Sequence, residues 1–151
     1  NRGILSRSSG SPVKEFLCIL LLHYLIRRIA GLPQAAGEWI SFQELDSGKM
    51  YYPAFRQRAI EPILSTYGRT PGQLWEKVRT LPARVVMQAD SAIILEAFEG
   101  VEVMVEIWGA DQEFGPEATM LFDRSIGRIF CTEDVAVLGG LIAHALQPVH
   151  I

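Results

Sequence analysis

The stretch that most constrains this fold is Phe16–Ile26, FLCILLLHYLI. Ser11-Pro12 ahead of it is a helix-start signal, a capping residue followed by proline at the first helical position. Gly31 and Pro33 behind it are stop signals. The spacing predicts a helix over Pro12–Ile29. A membrane span needs about 20 apolar residues. This run has eleven and is interrupted by His23. Because it is apolar on nearly every side, it reads as the buried centre of a water-soluble domain. Arg27 and Arg28 suit the negative end of its dipole. His23 has no partner at HxxxH or HxxE spacing, so it is expected to be a hydrogen-bonded core residue.

The following segments are helical or short. Gly37–Phe42 is a short strand or turn presenting Trp39. Ser41 and Glu44 have capping-box spacing, which predicts one turn of helix over Phe42–Leu45. Asp46-Ser47-Gly48 is a turn. Pro53–Tyr67 has helical periodicity, with a kink or break expected at Pro62, whose nitrogen has no proton to donate. Thr70-Pro71 opens a further helix to about Leu81.

The pattern then changes to alternation. Val85–Met87 is a candidate strand. Ser91–Phe98 and Val101–Trp108 form an antiparallel hairpin turning at Glu99-Gly100. Val101, Val103, Val105 and Ile107 share one face of the second strand. Thr119–Phe122 is a further strand. Thr132 is expected to cap a last helix to about Leu146, with Val135, Leu138, Ile142 and Leu146 facing inward. The Gly139-Gly140 pair inside it implies close approach of another element. The chain shows no long linker or repeat, so residues 1–151 are read as one domain, with residues 1–11 as an arm or partial strand. The fold class is α+β: a small, mainly antiparallel sheet packed against one layer of helices around the Pro12–Ile29 helix.

Charge is unevenly distributed. Residues 1–84 hold 12 Lys and Arg against 6 Asp and Glu, and residues 85–151 hold 2 against 11. Two halves that fold together would complement each other. The net charge of −3 and the lack of a dominant basic patch argue against nucleic acid as a partner. Cys18 and Cys131 form no CxxC pair, so neither a zinc ribbon nor an iron–sulfur ligand set can be built, and no iron–sulfur or zinc ligand set is expected within this chain. Two isolated cysteines suit a reducing cytoplasm.

The densest chemistry lies in Trp108–Asp134. It carries Asp111, Glu113, Glu117, Asp123, Glu133 and Asp134 among Trp108, Phe114, Phe122 and Phe130, aromatics expected to be at least partly buried. Three arrangements fit. Asp111, Glu113, Glu117 and Asp123 could converge on a hard cation, although their spacing does not match an EF-hand. Two of these acids could act as a general acid and base beside the aromatic rings. Or the acids could be structural, shaping turns, capping a helix and pairing with Arg56, Arg58 or Arg124. A binding site built here would place Trp39, Tyr52, Asp111, Glu113 and Asp123 in one concave region. No GxSxG, Walker, GxGxxG or HExxH motif is present.

LLLHYL (Leu20–Leu25), GEWISFQEL (Gly37–Leu45), YYPAF (Tyr51–Phe55), DQEF (Asp111–Phe114), LFD (Leu121–Asp123) and TEDVAVLG (Thr132–Gly139) occur in this order. Together they resemble the uncharacterised prokaryotic domain-of-unknown-function family thirty-seven eighty-six, over roughly residues 12–146. The resemblance implies no established activity. It implies an anaerobic setting, relatives joined to cysteine-rich iron–sulfur segments, and further sequence ahead of the LLLHYL helix, so that the first strands of the domain lie outside this chain.

The expected function is a binding or accessory module for a small ligand or protein partner, linked through the resemblance to anaerobic redox or one-carbon proteins. The alternatives are an enzyme that uses residues 111–134 and a domain that serves homo-oligomerisation.

Overall fold

A computed structural model describes residues 15–148. The elements in order are α1 (Glu15–Ala30), β1 (Trp39–Ser41), a 3₁₀ turn (Phe42–Glu44), α2 (Gly48–Phe55), a π-helical stretch (Arg56–Ile60) and α3 (Glu61–Tyr67). A 3₁₀ helix (Pro71–Arg79) follows, then β2 (Ala83–Val86), β3 (Ser91–Phe98), β4 (Val101–Trp108), β5 (Glu117–Asp123), a 3₁₀ turn (Arg124–Arg128) and α4 (Thr132–Ala145). The class is α+β. The Ser11-Pro12 start signal and the partial strand ahead of it lie outside the described residues.

The five strands form one antiparallel sheet in the order β1-β5-β4-β3-β2. The β3–β4 hairpin turns at Glu99-Gly100, where Gly100 takes a φ of 83°, a conformation that costs glycine little. Alternation sorts the faces as the sequence predicts: Val101, Val103, Val105 and Ile107 are all buried, facing the helices with Ile93, Leu95, Met120 and Phe122. The opposite face is partly closed by a polar contact. Gln88 and Thr119 both donate to the buried Glu106 carboxylate.

Pro62 does not kink one regular helix. The chain runs helically from Gly48 to Tyr67, and a π-helical stretch directly before Pro62 absorbs the missing amide. The helix expected from Pro71 to Leu81 is instead a 3₁₀ helix ending at Arg79.

The centre of the helical layer is α4, not α1. Helix α4 buries Val135, Leu138, Gly139, Ile142 and Ala143 and touches α1, α2, α3 and the π-helical stretch. Phe55 and Ala59 come so close to Gly139 that a Cβ there would sit 2.5 Å from the Phe55 ring. This is the close approach that the Gly139-Gly140 pair implies.

Helix α1 lies at the edge of the layer and buries only Leu20 and Tyr24. Phe16, Ile19, Leu22, Leu25, Ile26 and Ile29 are exposed, Ile29 to 87%. An all-round apolar sequence predicts a buried helix only if both faces meet protein. Here one face meets the core and the other is largely uncovered by the described residues. No helix among the described residues is long and apolar enough to cross a membrane.

Candidate functional site at the start of helix α4

The acids of the 108–134 stretch do not converge. Asp111 shapes the loop after β4: its Oδ1 accepts from the backbone N–H groups of Glu113 and Phe114, and these two bonds hold its carboxyl below the usual range. Residues 111–117 are all exposed, and Phe114, at 70% exposure, forms no apolar wall. Trp108, at 36% exposure, is partly buried, and Phe122 and Phe130 are buried, as expected.

Asp123 stands at the far end of β5 from Glu117, a separation of roughly 20 Å along a strand of this length. One cation therefore cannot be shared by Asp111, Glu113, Glu117 and Asp123. Asp123 accepts from the backbone of Ala36, Gly37 and Ser125. Burial pushes its pKa up, but these bonds and the Ser125 side chain outweigh that and hold it at about 2.

Trp39 is half-buried on β1 directly opposite Asp123, and Tyr52 packs against Phe55 on α2. Neither they nor Asp111, Glu113 or Asp123 line the clefts described below. Arg56 pairs with Glu117 at 3.2 Å and Glu61 at 3.0 Å, not with Asp111, Glu113 or Asp123, and Arg124 takes Glu38. The two oppositely charged halves do meet, through Arg28–Glu99, Arg56–Glu117 and Arg84–Glu102.

The structure instead gathers reactive side chains where α1 meets the start of α4. The capping box of α4 sits one residue earlier than its sequence suggests. Cys131 is the N-cap, Asp134 is the third helical residue, and its carboxylate reaches back to the Cys131 backbone N–H. Thr132, the expected cap, donates its hydroxyl to the Asp46 carbonyl and ties down the preceding loop. This register places the Cys131 thiol beside the Asp134 carboxylate.

Helix α1 supplies the third member. His23 Nδ1 lies 2.6 Å from Asp134 Oδ2, so the buried carboxylate, with a side chain 6% exposed, is paired as its burial requires. The expected core histidine is hydrogen-bonded, but its side chain is 44% exposed and faces a cleft. Ligand atoms of His23, Cys131 and Asp134 all lie within 4.8 Å of one another.

The residues next to this trio are fixed by an aromatic cluster. Tyr24 stacks on Phe98 at 4.7 Å, Phe130 packs against both rings, and the Tyr24 hydroxyl donates to the Glu99 carbonyl. His23 and Cys131 are thus chain neighbours of anchored rings, as a preorganised site requires.

Two clefts adjoin at Cys131, and one of them is lined by the whole trio. One, of about 560 Å³, is lined by His23, Arg27, Asp46, Arg128, Cys131 and Asp134. The other, of about 390 Å³, includes Glu44, Tyr51, Arg124, Cys131 and Glu133. Asp46, Gly127, Phe130 and Cys131 border both. Burial raises the Cys131 thiol pKa, and the nearby Asp134 and Glu133 side chains add to the shift, outweighing a backbone hydrogen bond that lowers it.

The lack of paired cysteines excludes a ribbon but not a mixed nitrogen, sulfur and oxygen set, which needs only one cysteine. Its members were visible singly: His23 in LLLHYL, Asp134 in TEDVAVLG, and Cys131 just ahead of the latter. Nothing local joins His23 to Asp134 across 111 residues of sequence.

No curated protein and no solved structure matches the chain. One family model matches residues 2–145, and its description is "Domain of unknown function (DUF3786)". By that match, which spans nearly the whole chain and agrees with the ordered motifs, the protein belongs to the domain of unknown function family DUF3786.

Proposed function

We propose that this domain is a binding module and that its ligand occupies the clefts at the start of α4, one of which is also walled by α1. The observation that carries this reading is the His23–Asp134 pair: a buried carboxylate and a half-exposed histidine at the wall of a concave surface. Concave regions with a few convergent polar groups are the usual form of small-ligand sites. Arg27 and Arg128 at the rim of the larger cleft favour a small anion, while Asp46 and Asp134 favour a cation. The family resemblance adds an accessory role beside anaerobic redox or one-carbon proteins in a prokaryotic cytoplasm.

A thermal-shift screen of small carboxylates, phosphates and divalent cations tests this reading. Compounds that stabilise the wild type should also stabilise Asp111→Asn but not Cys131→Ser or Asp134→Asn. Hits lost in Asp111→Asn and kept in Cys131→Ser would return the site to the β4–β5 loop, and a screen without hits would reject binding in the clefts.

A second reading, assembly through α1, is favoured by a specific observation. Ile19, Leu22, Ile26 and Ile29 recur at spacings of three, four and three on the exposed side of the helix, with Phe16 and Leu25 beside them. An exposed apolar stripe of this kind marks interaction surfaces. Sedimentation of the wild type and of Leu22→Glu/Ile26→Glu tests it: a dimer that becomes a monomer supports assembly, and a wild-type monomer at high concentration rejects self-assembly.

A further inference from the structure

We infer that His23, Cys131 and Asp134 form an open binding site for a borderline divalent metal cation of the zinc or ferrous class. The inference rests on the proposed binding role of the clefts and names the ligand class.

The donor set selects the metal. A thiolate, an imidazole nitrogen and a carboxylate oxygen suit zinc-class cations, whereas magnesium and calcium require an all-oxygen shell. Tetrahedral bonds of about 2.0 Å to nitrogen or oxygen and 2.3 Å to sulfur place ligand atoms roughly 3.3–3.6 Å apart. The three donors already lie within 4.8 Å of one another, so small side-chain rotations bring them into range. The His23 Nδ1–Asp134 Oδ2 separation of 2.6 Å would widen by under about 1 Å to admit the cation between the two atoms.

The supporting structure is in place on both sides. Asp134 is held by its capping bond from the Cys131 backbone N–H, which keeps the two residues together at the helix start. His23 is held on α1 next to Tyr24, whose ring and hydroxyl are both engaged. Three protein ligands with an exposed edge are the pattern of a site that keeps one coordination position for water or a bound molecule. That position opens toward the cleft bordered by Arg27 and Arg128, so a small anion is the fitting fourth ligand. Cys131 is an exposed residue that lines both clefts, so a cation can approach it from solvent. On coordination the thiol proton passes to solvent, and His23 binds as the neutral imidazole with its proton on the ring nitrogen that does not face the cation.

Cobalt titration tests the inference directly, because a thiolate bound to Co²⁺ gives a near-ultraviolet charge-transfer band that carboxylate and imidazole ligands do not give. Metal-free wild type should take up one Co²⁺ per chain with this band, and Zn²⁺ should displace it. Cys131→Ser should lose the band with its far-ultraviolet circular dichroism unchanged, and Cys18→Ser should keep it. His23→Ala and Asp134→Asn should each weaken binding at least tenfold. Should Asp134→Asn misfold, His23→Ala at the rim carries the test alone.

No band in the wild type, a band that survives in Cys131→Ser, or one that depends on Cys18 would overturn the metal assignment. If cobalt gives no band but an organic anion still stabilises the wild type through Cys131, the metal inference fails while the binding cleft stands. If no compound of either kind has an effect, both fail.

Discussion

His23 on α1 and Asp134 on α4 hold each other at 2.6 Å across 111 residues of sequence. This contact ties the outermost helix to the central one, and it does so at the mouth of a cleft. It joins the two residues that matter most to the proposed site, and it also bears on how firmly α1 is held to the rest of the domain.

The position of α1 gives a contrast within one helix. Leu20 is fully buried and Leu22 is 50% exposed. Leu20→Ala should cost about 2–5 kcal/mol by leaving a cavity, and Leu22→Ala under about 1 kcal/mol. Urea denaturation of the two variants measures this. Equal losses would mean that α1 is buried on both sides in solution.

Gly139 and Gly140 are neighbours with opposite expectations. A Cβ on Gly139 would meet the Phe55 ring at 2.5 Å and Ala59 Cβ at 3.2 Å, whereas one on Gly140 meets nothing nearer than Arg58 Cβ at 4.0 Å. Gly139→Ala should destabilise by about 1–3 kcal/mol despite its better helix propensity. Gly140→Ala should stabilise by roughly 0.5–1 kcal/mol. Melting temperatures moving in the same direction for both would contradict this packing of α2 and the π-helical stretch on α4.

What was legible in the sequence follows from the range of the forces involved. The β3–β4 hairpin could be read because alternation and the Glu99-Gly100 turn are local. Helix α4 could be read from its cap and its apolar spacing, although Cys131 took the capping position in place of Thr132. The place of α1 could not, because an apolar run shows that a helix needs cover without saying what provides it. The acidic stretch drew attention by density, yet its members are used locally, Asp111 in its own loop and Asp123 in backbone bonds. The His23–Cys131–Asp134 group depends on two helices meeting, which no spacing along the chain encodes.

Asp123 sets a pH dependence. Its carboxyl is held at about 2 against a usual value of 3.8. The folded-state pKa is depressed, so the stabilisation is complete above the unfolded value and is lost as pH falls from about 5 toward 2. Allowing for solvent screening, the wild type should lose about 1 kcal/mol more than Asp123→Asn between pH 6 and pH 3. Denaturant midpoints at the two pH values provide the measurement, and parallel losses in the two proteins would mean that Asp123 is not specially stabilised.

The proposed binding surface lies where α1 meets the start of α4 and not in the acidic loop after β4. Amide chemical-shift mapping tests it most directly, using nitrogen-15-labelled wild type titrated separately with ZnCl₂ and with inorganic phosphate. Saturable shifts should concentrate at His23, Gly127, Cys131 and Thr132, with Asp111–Gly115 unmoved. Shifts centred on Asp111–Gly115, or no saturable shift at the α4 cleft with either probe, would contradict the account.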